Sequence, residues 1–277
     1  MNALYKVIEI SKQAVTQYAN RQLVFDNQIK ELIVEADILK QAHPGCGVEK
    51  MYDTLKPNFI GRDRFIETFM DLGYRVKRQK NYRRTTYSGD LYYPNLIKGL
   101  TINSPSSIWQ SDITYIKVKD KFYYAVLIID VYSKKIVGYS VSDHMRASAN
   151  VRALKMALKV HKAPKIHHSD RGSQYTSNEY ISLLKNNNCE ISMGLIAQEN
   201  AYAERINRTI KEEYLSYWKR ENITQLKLQV KKAVYNYNNK RPHKNLPKMN
   251  PNEFINHWKN IKMKDKPKIT IFNNEII

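Results

Sequence analysis

Cysteine is nearly missing from this chain: Cys46 and Cys189 are the only two in 277 residues. Two thiols exclude a disulfide scaffold and a four-thiolate zinc site within one chain, and they fit a reducing, cytoplasmic setting. No stretch approaches the roughly 18 consecutive apolar residues that a membrane span requires. The opening MNALYKVIEISKQ lacks a basic start followed by an apolar run, so no secretory signal is read there. Acidic residues are also scarce, with 26 Asp and Glu against 46 Lys and Arg, a formal net charge of +20. What the chain does have is 42% hydrophobic residues, enough for packed cores and too many for full disorder. Its length suggests two domains with room for a small third.

Such an excess of positive charge attracts polyanions, and nucleic acid is the usual partner because neutralised phosphates release condensed counterions. A basic ribosomal or membrane-surface protein is the alternative on composition alone. The excess is uneven. Residues 205–277 carry 17 Lys and Arg against 6 Asp and Glu, and RVKRQKNYRR at 75–84 is a second basic block.

Along the chain, residues 1–27 read as one or two short helices, with Ser11 an N-cap before KQAVTQYANRQ. Residues 28–75 read as three helices. The first, 28–40, is apolar at Ile29, Leu32, Ile33, Ala36 and Leu39 and is broken by His-Pro-Gly at 43–45. The second runs through Val48–Leu55, and the third, about 62–72, stops at Gly73. Joined by a tight turn, the last two form a candidate helix-turn-helix, in which residues opening the second helix read the major groove. Arg62 and Arg64 occupy that position; a small helical bundle that packs on a partner is the other reading. Residues 76–105, basic and tyrosine-rich, read as a linker, either tracking a DNA backbone through Lys77, Arg78, Arg83 and Arg84 or simply solvated.

From 106 to 222 the period changes. Ile108–Val118, Phe122–Tyr132 and Lys135–Ser142 read as successive strands whose short connections favour an antiparallel meander. A helix (147–160), a strand (165–168), a helix (178–186), a strand (190–193) and a long helix (199–220) follow. This is an α/β unit, a mixed sheet covered by helices, and its order resembles the ribonuclease H-like fold. Residues 223–277 add a helix at about 224–239, a proline-rich loop and a basic end.

Three acids stand where this order of elements brings them together. Asp112 lies inside the first long strand among apolar neighbours, where an unpaired carboxylate costs several kcal/mol. Asp170 ends the 165–168 strand region before a glycine-containing loop, and ligands in open α/β sheets bind beyond strand carboxyl ends. Glu204 lies one turn into the long helix. Converging carboxylates repel, and bridging divalent cations with phosphate oxygens relieve that repulsion. Singly, each has a plainer reading: a buried hydrogen-bonded acid, a turn former, a solvated helix residue.

The surrounding strings decide between them. WQSDITYI, LIIDVYSKKIVGYSVSD, HHSDRGSQYTS, NAYAERINRTIKEE and YNNKRPHKNLPKMNP together resemble the integrase core of IS3-family insertion-sequence transposases, in particular their second-frame product, which is itself similar to retroviral integrases. The resemblance runs from the helix-turn-helix to Pro251. It implies a DDE triad on Asp112, Asp170 and Glu204, acting as metal ligands for two Mg²⁺ ions, with Mn²⁺ able to substitute. It implies double-stranded DNA as partner, both inverted-repeat ends and target, together with a homo-oligomer on DNA and a first-frame transposase protein, in the cytoplasm at the nucleoid. The interval between Asp170 and Glu204 holds 33 residues, slightly short for the family, and the shortfall falls in Gly194–Gln198; Glu199 is the runner-up acid.

On an ideal helix Arg208 sits about 40° to one side of Glu204 and Lys211 about 20° to the other. With Asn200 one turn back, this stripe suits metal binding beside a DNA phosphate; an ordinary surface Glu–Arg pair is the alternative. His161, His167 and His168 invite a zinc reading that fails for want of a fourth ligand. His168 reads as orienting the Asp170 loop or contacting DNA, or as a satisfied structural histidine. Asp130 and Asp143 read as structural or supporting, and Arg241-Pro242-His243 matches a family string without a chemical role. Two rivals remain from sequence: a catalytically silent DNA-binding regulator, and a ribonuclease H-like nuclease.

Overall fold

A computed structural model describes residues 11–76 and 93–272, and the chain divides into two compact units, Met1–Lys77 and Arg78–Ile277. Lys77, Arg78, Arg83 and Arg84 lie outside the described residues.

In the first unit, α1 spans Lys12–Ala42. Ser11 caps it as expected, its hydroxyl accepting from the Ala14 amide at 3.0 Å. The expected break near 27 is absent. No glycine or proline interrupts 12–42, so nothing offsets the gain from continuing the hydrogen-bond ladder. Only Leu32 and Ala36 of this helix are fully buried. They meet α2 (Val48–Leu55) and α3 (Arg62–Asp71) around Met51, Phe65 and Phe69, which are wholly buried. Gly73, at φ +87°, takes the left-handed step that ends α3.

The second unit is built on a five-stranded sheet in the order β4-β3-β2-β5-β6. Its strands are β2 (Ile108–Val118), β3 (Lys121–Asp130), β4 (Ile136–Ser142), β5 (Ile166–Ser169) and β6 (Glu190–Met193). β2, β3 and β4 form the expected antiparallel meander. β5 and β6 run parallel to β2, with β5 beside β2 over Ile108–Gln110. Asp170 therefore stands just past β5 rather than within it.

One sheet face packs on α4 (Ala147–Val160) and α5 (Asn178–Lys185) through Ile128, Val137, Leu154 and Leu184. Gly138 permits this approach, because a Cβ there would run into the Ala153 carbonyl oxygen. The other face packs on α6 (Ala201–Ile210) and α7 (Ile223–Asn239) through Leu127, Ile206, Ile210, Val230 and Ala233. The single long helix expected at 199–220 is instead a 3₁₀ turn (Ala197–Asn200), α6, and a π turn (Lys211–Leu215).

The flanking segments are also folded. Residues 93–105, read as linker, and the C-terminal end, read as loop and tail, share a third core of Ile97, Ile102, Tyr132, Leu246, Phe254 and Ile271. β1 (Thr101–Ile102) pairs antiparallel with β7 (Ile269–Thr270). Helix α8 (Pro251–Asn260) starts on a reciprocal capping box between Asn250 and Glu253.

Candidate active site

β2 carries Asp112 at the centre of the sheet, and three consecutive residues of that strand are fastened to the start of α6. Gln110 Oε1 accepts from the Ala203 amide at 3.3 Å. The Ser111 carbonyl accepts from Asn200 Nδ2 at 3.0 Å. Asp112 Oδ2 accepts from Asn207 Nδ2 at 2.9 Å. These bonds set the register of α6 against β2, and so the position of Glu204 relative to Asp112.

Burial, then the nearby Asp170 charge, pushes the Asp112 carboxyl up to about 7; Glu204 adds to the rise, while the Ile113 amide and Asn207 oppose it. Glu204 is also raised, by burial first, with Arg208 lowering it and Asp170 raising it. Asp170 Oδ1 accepts from the Gly172 amide at 3.0 Å, which turns the chain back over the carboxylate. A Cβ on Gly172 would press on that same oxygen at 3.0 Å and on Gln174 Oε1 at 2.9 Å, so any larger residue there would displace one of these side chains. Carboxylates from β2, from the loop after β5 and from α6 therefore act on one another electrostatically. They do not form a closed cage: among the described residues no three His, Cys, Asp or Glu side chains are grouped to hold a metal.

Lys211 lies on the same side. Burial lowers its pKa while Asp112 raises it, with smaller effects from Glu212 and Arg208. Tyr175, fully buried, shares a 3.0 Å hydrogen bond with Ser111 Oγ. Burial, then Asp170 and Asp112, holds its hydroxyl protonated far above the usual tyrosine range. Asn207 and Tyr175 were not singled out from sequence. Asn207 had a usable signal, standing three residues after Glu204 on the same helical face; Tyr175 had none beyond its place five residues after Asp170.

The runner-up Glu199 has other work. Its Oε2 accepts from the Leu195 amide at 2.6 Å. Burial would raise its pKa, but hydrogen bonds from Leu195, Asn95 and Ile196 and the charge of His168 bring it below the ordinary value. It thus closes the short 194–198 turn. His168 is buried, with Nδ1 and Ser192 Oγ 2.8 Å apart, and burial holds it down to about 4. His167 shares a 2.9 Å bond with the Tyr180 hydroxyl. Asp130 is buried and accepts from the Ser106 amide at 3.1 Å and from Ser133, while Asp143 is exposed. In the first unit, Arg62 pairs with Asp63 at 2.9 Å and Glu49 at 3.6 Å, remaining half exposed. The Arg64 guanidinium lies 4.2 Å over the Phe25 ring.

This arrangement sits inside residues that match known families. Residues 102–197 match one integrase core domain model and residues 189–251 match a second. The chain is 30% identical over 218 residues to an IS600 insertion-element protein of Shigella sonnei, covering 75% of this chain and 80% of that protein. It is 35% identical over 189 residues to the IS904 transposase of Lactococcus lactis, covering 66% and 73%. It is also 32% identical over 148 residues to the InsF transposase of IS3A from Escherichia coli, covering 51% of each. The chain belongs to the IS3 family of insertion-sequence transposases. Among solved structures, the HTLV-2 integrase catalytic core domain aligns with 58% of this chain and 98% of that domain, at 19% identity and a TM-score of 0.45. By its integrase core models and its transposase relatives, the protein is a DDE-type polynucleotidyl transferase, its ribonuclease H-like mixed sheet preceded by a helical N-terminal region. Among its described residues no helix is long and apolar enough to cross a membrane.

Proposed function

We infer that this transposase cleaves and joins the ends of its insertion sequence by metal-dependent phosphoryl transfer, with Asp112, Asp170 and Glu204 as the catalytic acids. The observation carrying this reading is that three carboxylates drawn from three separate elements act on one another, Asp170 and Glu204 adding to the burial that lifts Asp112 to about 7. The donor set fits Mg²⁺, with Mn²⁺ as substitute. It is all oxygen and anionic, and it is open, as suits ions that keep waters and substrate phosphates among their ligands rather than filling a protein cage. Asp112, Asp170 and Glu204 would hold two such ions. Once bound, they supply Lewis-acid activation of the attacking oxygen and charge relief at the leaving one.

The chain's own groups do the rest. Asn207 fixes the Asp112 carboxylate, and the Gly172 turn fixes Asp170. Lys211 and Arg208 set positive charge beside the acids, where a scissile phosphate needs it. Tyr175 contributes a hydroxyl without adding negative charge. The attacking hydroxyl comes from water or a DNA 3′ end, so no side chain forms a covalent intermediate. Arg62 and Arg64 open α3 as end-reading residues of a helix-turn-helix, and Lys77, Arg78, Arg83 and Arg84 contact DNA phosphates. The transposase acts in the cytoplasm as a homo-oligomer on DNA, with a first-frame product as partner.

The test incubates the protein, alone and with the first-frame product, with Mg²⁺ and labelled DNA carrying the inverted repeats. Nicking at the repeat ends and joined products are expected, both lost in EDTA. Cleavage that persists in EDTA, or that ignores the repeats, would overturn the reading.

A further inference from the structure

The string Arg241-Pro242-His243 plays no part in the chemistry above, yet Arg241 is buried within it. Its guanidinium makes a two-point ion pair with Glu213, Nε to Oε2 at 2.6 Å and Nη2 to Oε1 at 2.8 Å. The guanidinium also lies 5.4 Å from the centre of the Tyr237 ring. Glu213 stands in the π turn Lys211–Leu215, where the Ser216 amide reaches back five residues to the Lys211 carbonyl at 2.8 Å. A π turn admits one residue more than the regular ladder and is held by its surroundings rather than by propensity.

Two features give this turn a direction. Asn207 bonds Asp112, and Lys211 follows it one turn along the same face. Glu213, two residues beyond Lys211 and so on roughly the opposite side of the turn, faces away toward Arg241. α7 is already fastened to α6 by apolar packing of Leu226, Val230 and Ala233 against Ile206 and Ile210. A buried ion pair adds little net stability over an apolar replacement. A planar fork on a carboxylate adds what apolar packing lacks, a fixed angle and register.

We propose that Arg241 is a positioning residue for the acidic site: its fork on Glu213 holds the π turn in the setting that places the Lys211 ammonium beside Asp112. This rests on the acidic-site reading given under Proposed function, but its first test does not depend on catalysis.

That test is competitive amine acetylation of the metal-free protein, comparing half-buried Lys211 with exposed Lys219. In Arg241→Met, Lys211 should label several-fold faster relative to Lys219 than in the wild type. An unchanged ratio in a variant that still melts cooperatively would overturn the proposal. If Arg241→Met does not fold, Glu213→Gln, which keeps the shape but removes the charged fork partner, decides the same question. The second test is single-turnover cleavage of end DNA. Arg241→Met should be roughly 10- to 100-fold slower with unchanged DNA affinity, and Lys211→Ala in that background should be no slower than Lys211→Ala alone. Losses that multiply would mean that Arg241 acts elsewhere. Asp112→Asn serves as the separate control: its full activity would sink the acidic-site reading, whereas a dead Asp112→Asn with multiplying losses would sink only the role of Arg241.

Discussion

Asn207 reaches from α6 to the central strand and donates its side-chain amide to Asp112 at 2.9 Å. The bond favours the ionised carboxylate and orients it. Asn207→Ala should leave end-DNA binding intact in the absence of metal but raise the Mg²⁺ concentration needed for half-maximal cleavage by about 10- to 100-fold, the usual cost of losing a hydrogen bond behind a ligand. An unchanged Mg²⁺ dependence would remove Asn207 from the site.

Asp112→Asn, Asp170→Asn and Glu204→Gln keep side-chain shape while removing charge. Each should abolish cleavage and joining by several orders of magnitude while DNA binding persists or tightens. Combined, they should cost little more than any one alone. Glu199→Gln should be mild by comparison, losing part of its hold on the 194–198 turn. If Glu199→Gln is inactive and Glu204→Gln active, the assignment of the third acid is reversed.

The pH dependence of stability provides a check without DNA. Asp112 sits at about 7 in the folded protein against about 3.9 in an unfolded chain. The folded state therefore holds that proton more tightly. This contribution to stability is complete below about pH 4 and is lost as the pH rises through 7. Without metal, Asp112→Asn should melt progressively higher than the wild type as the pH goes from about 5 to 8. Mg²⁺ should narrow that gap at pH 8. A melting difference that does not vary with pH would contradict the burial and charge coupling ascribed to Asp112.

End recognition separates from chemistry in the first unit. Arg62→Ala with Arg64→Ala should relax preference for the repeat ends while keeping nonspecific binding. Arg64→Ala should also soften the helical unit by about 0.5–1 kcal/mol, since its guanidinium stacks on Phe25, so melting must be followed beside the footprint. Changing Lys77, Arg78, Arg83 and Arg84 to Ala should flatten the fall in DNA affinity between ~50 and 200 mM salt. A double mutant with full sequence preference, or a quadruple mutant with an unaltered salt slope, would assign those tasks to other residues.

Much of the core was legible because its signals are local. Ile108–Val118 and Ala147–Val160 have the same bounds in sequence and structure, since β-branched runs and a helical apolar stripe are each read within a dozen residues. The placing of Asp112, Asp170 and Glu204 followed from the order of those elements and the family strings around them. What escaped depends on distant partners. The π turn at Lys211–Leu215 has no signature in KEEYL; it comes with Tyr214 and Leu215 buried beneath α7 and Glu213 paired to a residue 28 positions away. Residues 93–105 and 263–272 look like linker and tail because each supplies half of a core, Ile97 and Ile102 from one and Ile271 from the other. Helix α8 is a different case. Asn250-Pro251-Asn252-Glu253 is a readable start signal, masked by the loop-like prolines at 242 and 247 just before it.

The pairing of β1 with β7 also bears on when the enzyme can be finished. The Thr101 and Thr270 hydroxyls lie 2.9 Å apart although 169 positions separate them in the chain. A ribosome delivers those positions in order, at about 5–20 residues per second. The five-stranded sheet is fully synthesised once Met193 has emerged, but the core around Tyr132 still waits for Leu246, Phe254 and Ile271. The nascent chain therefore carries all three acids before it has the residues that complete the core around Tyr132, so the acids are made well ahead of a finished fold.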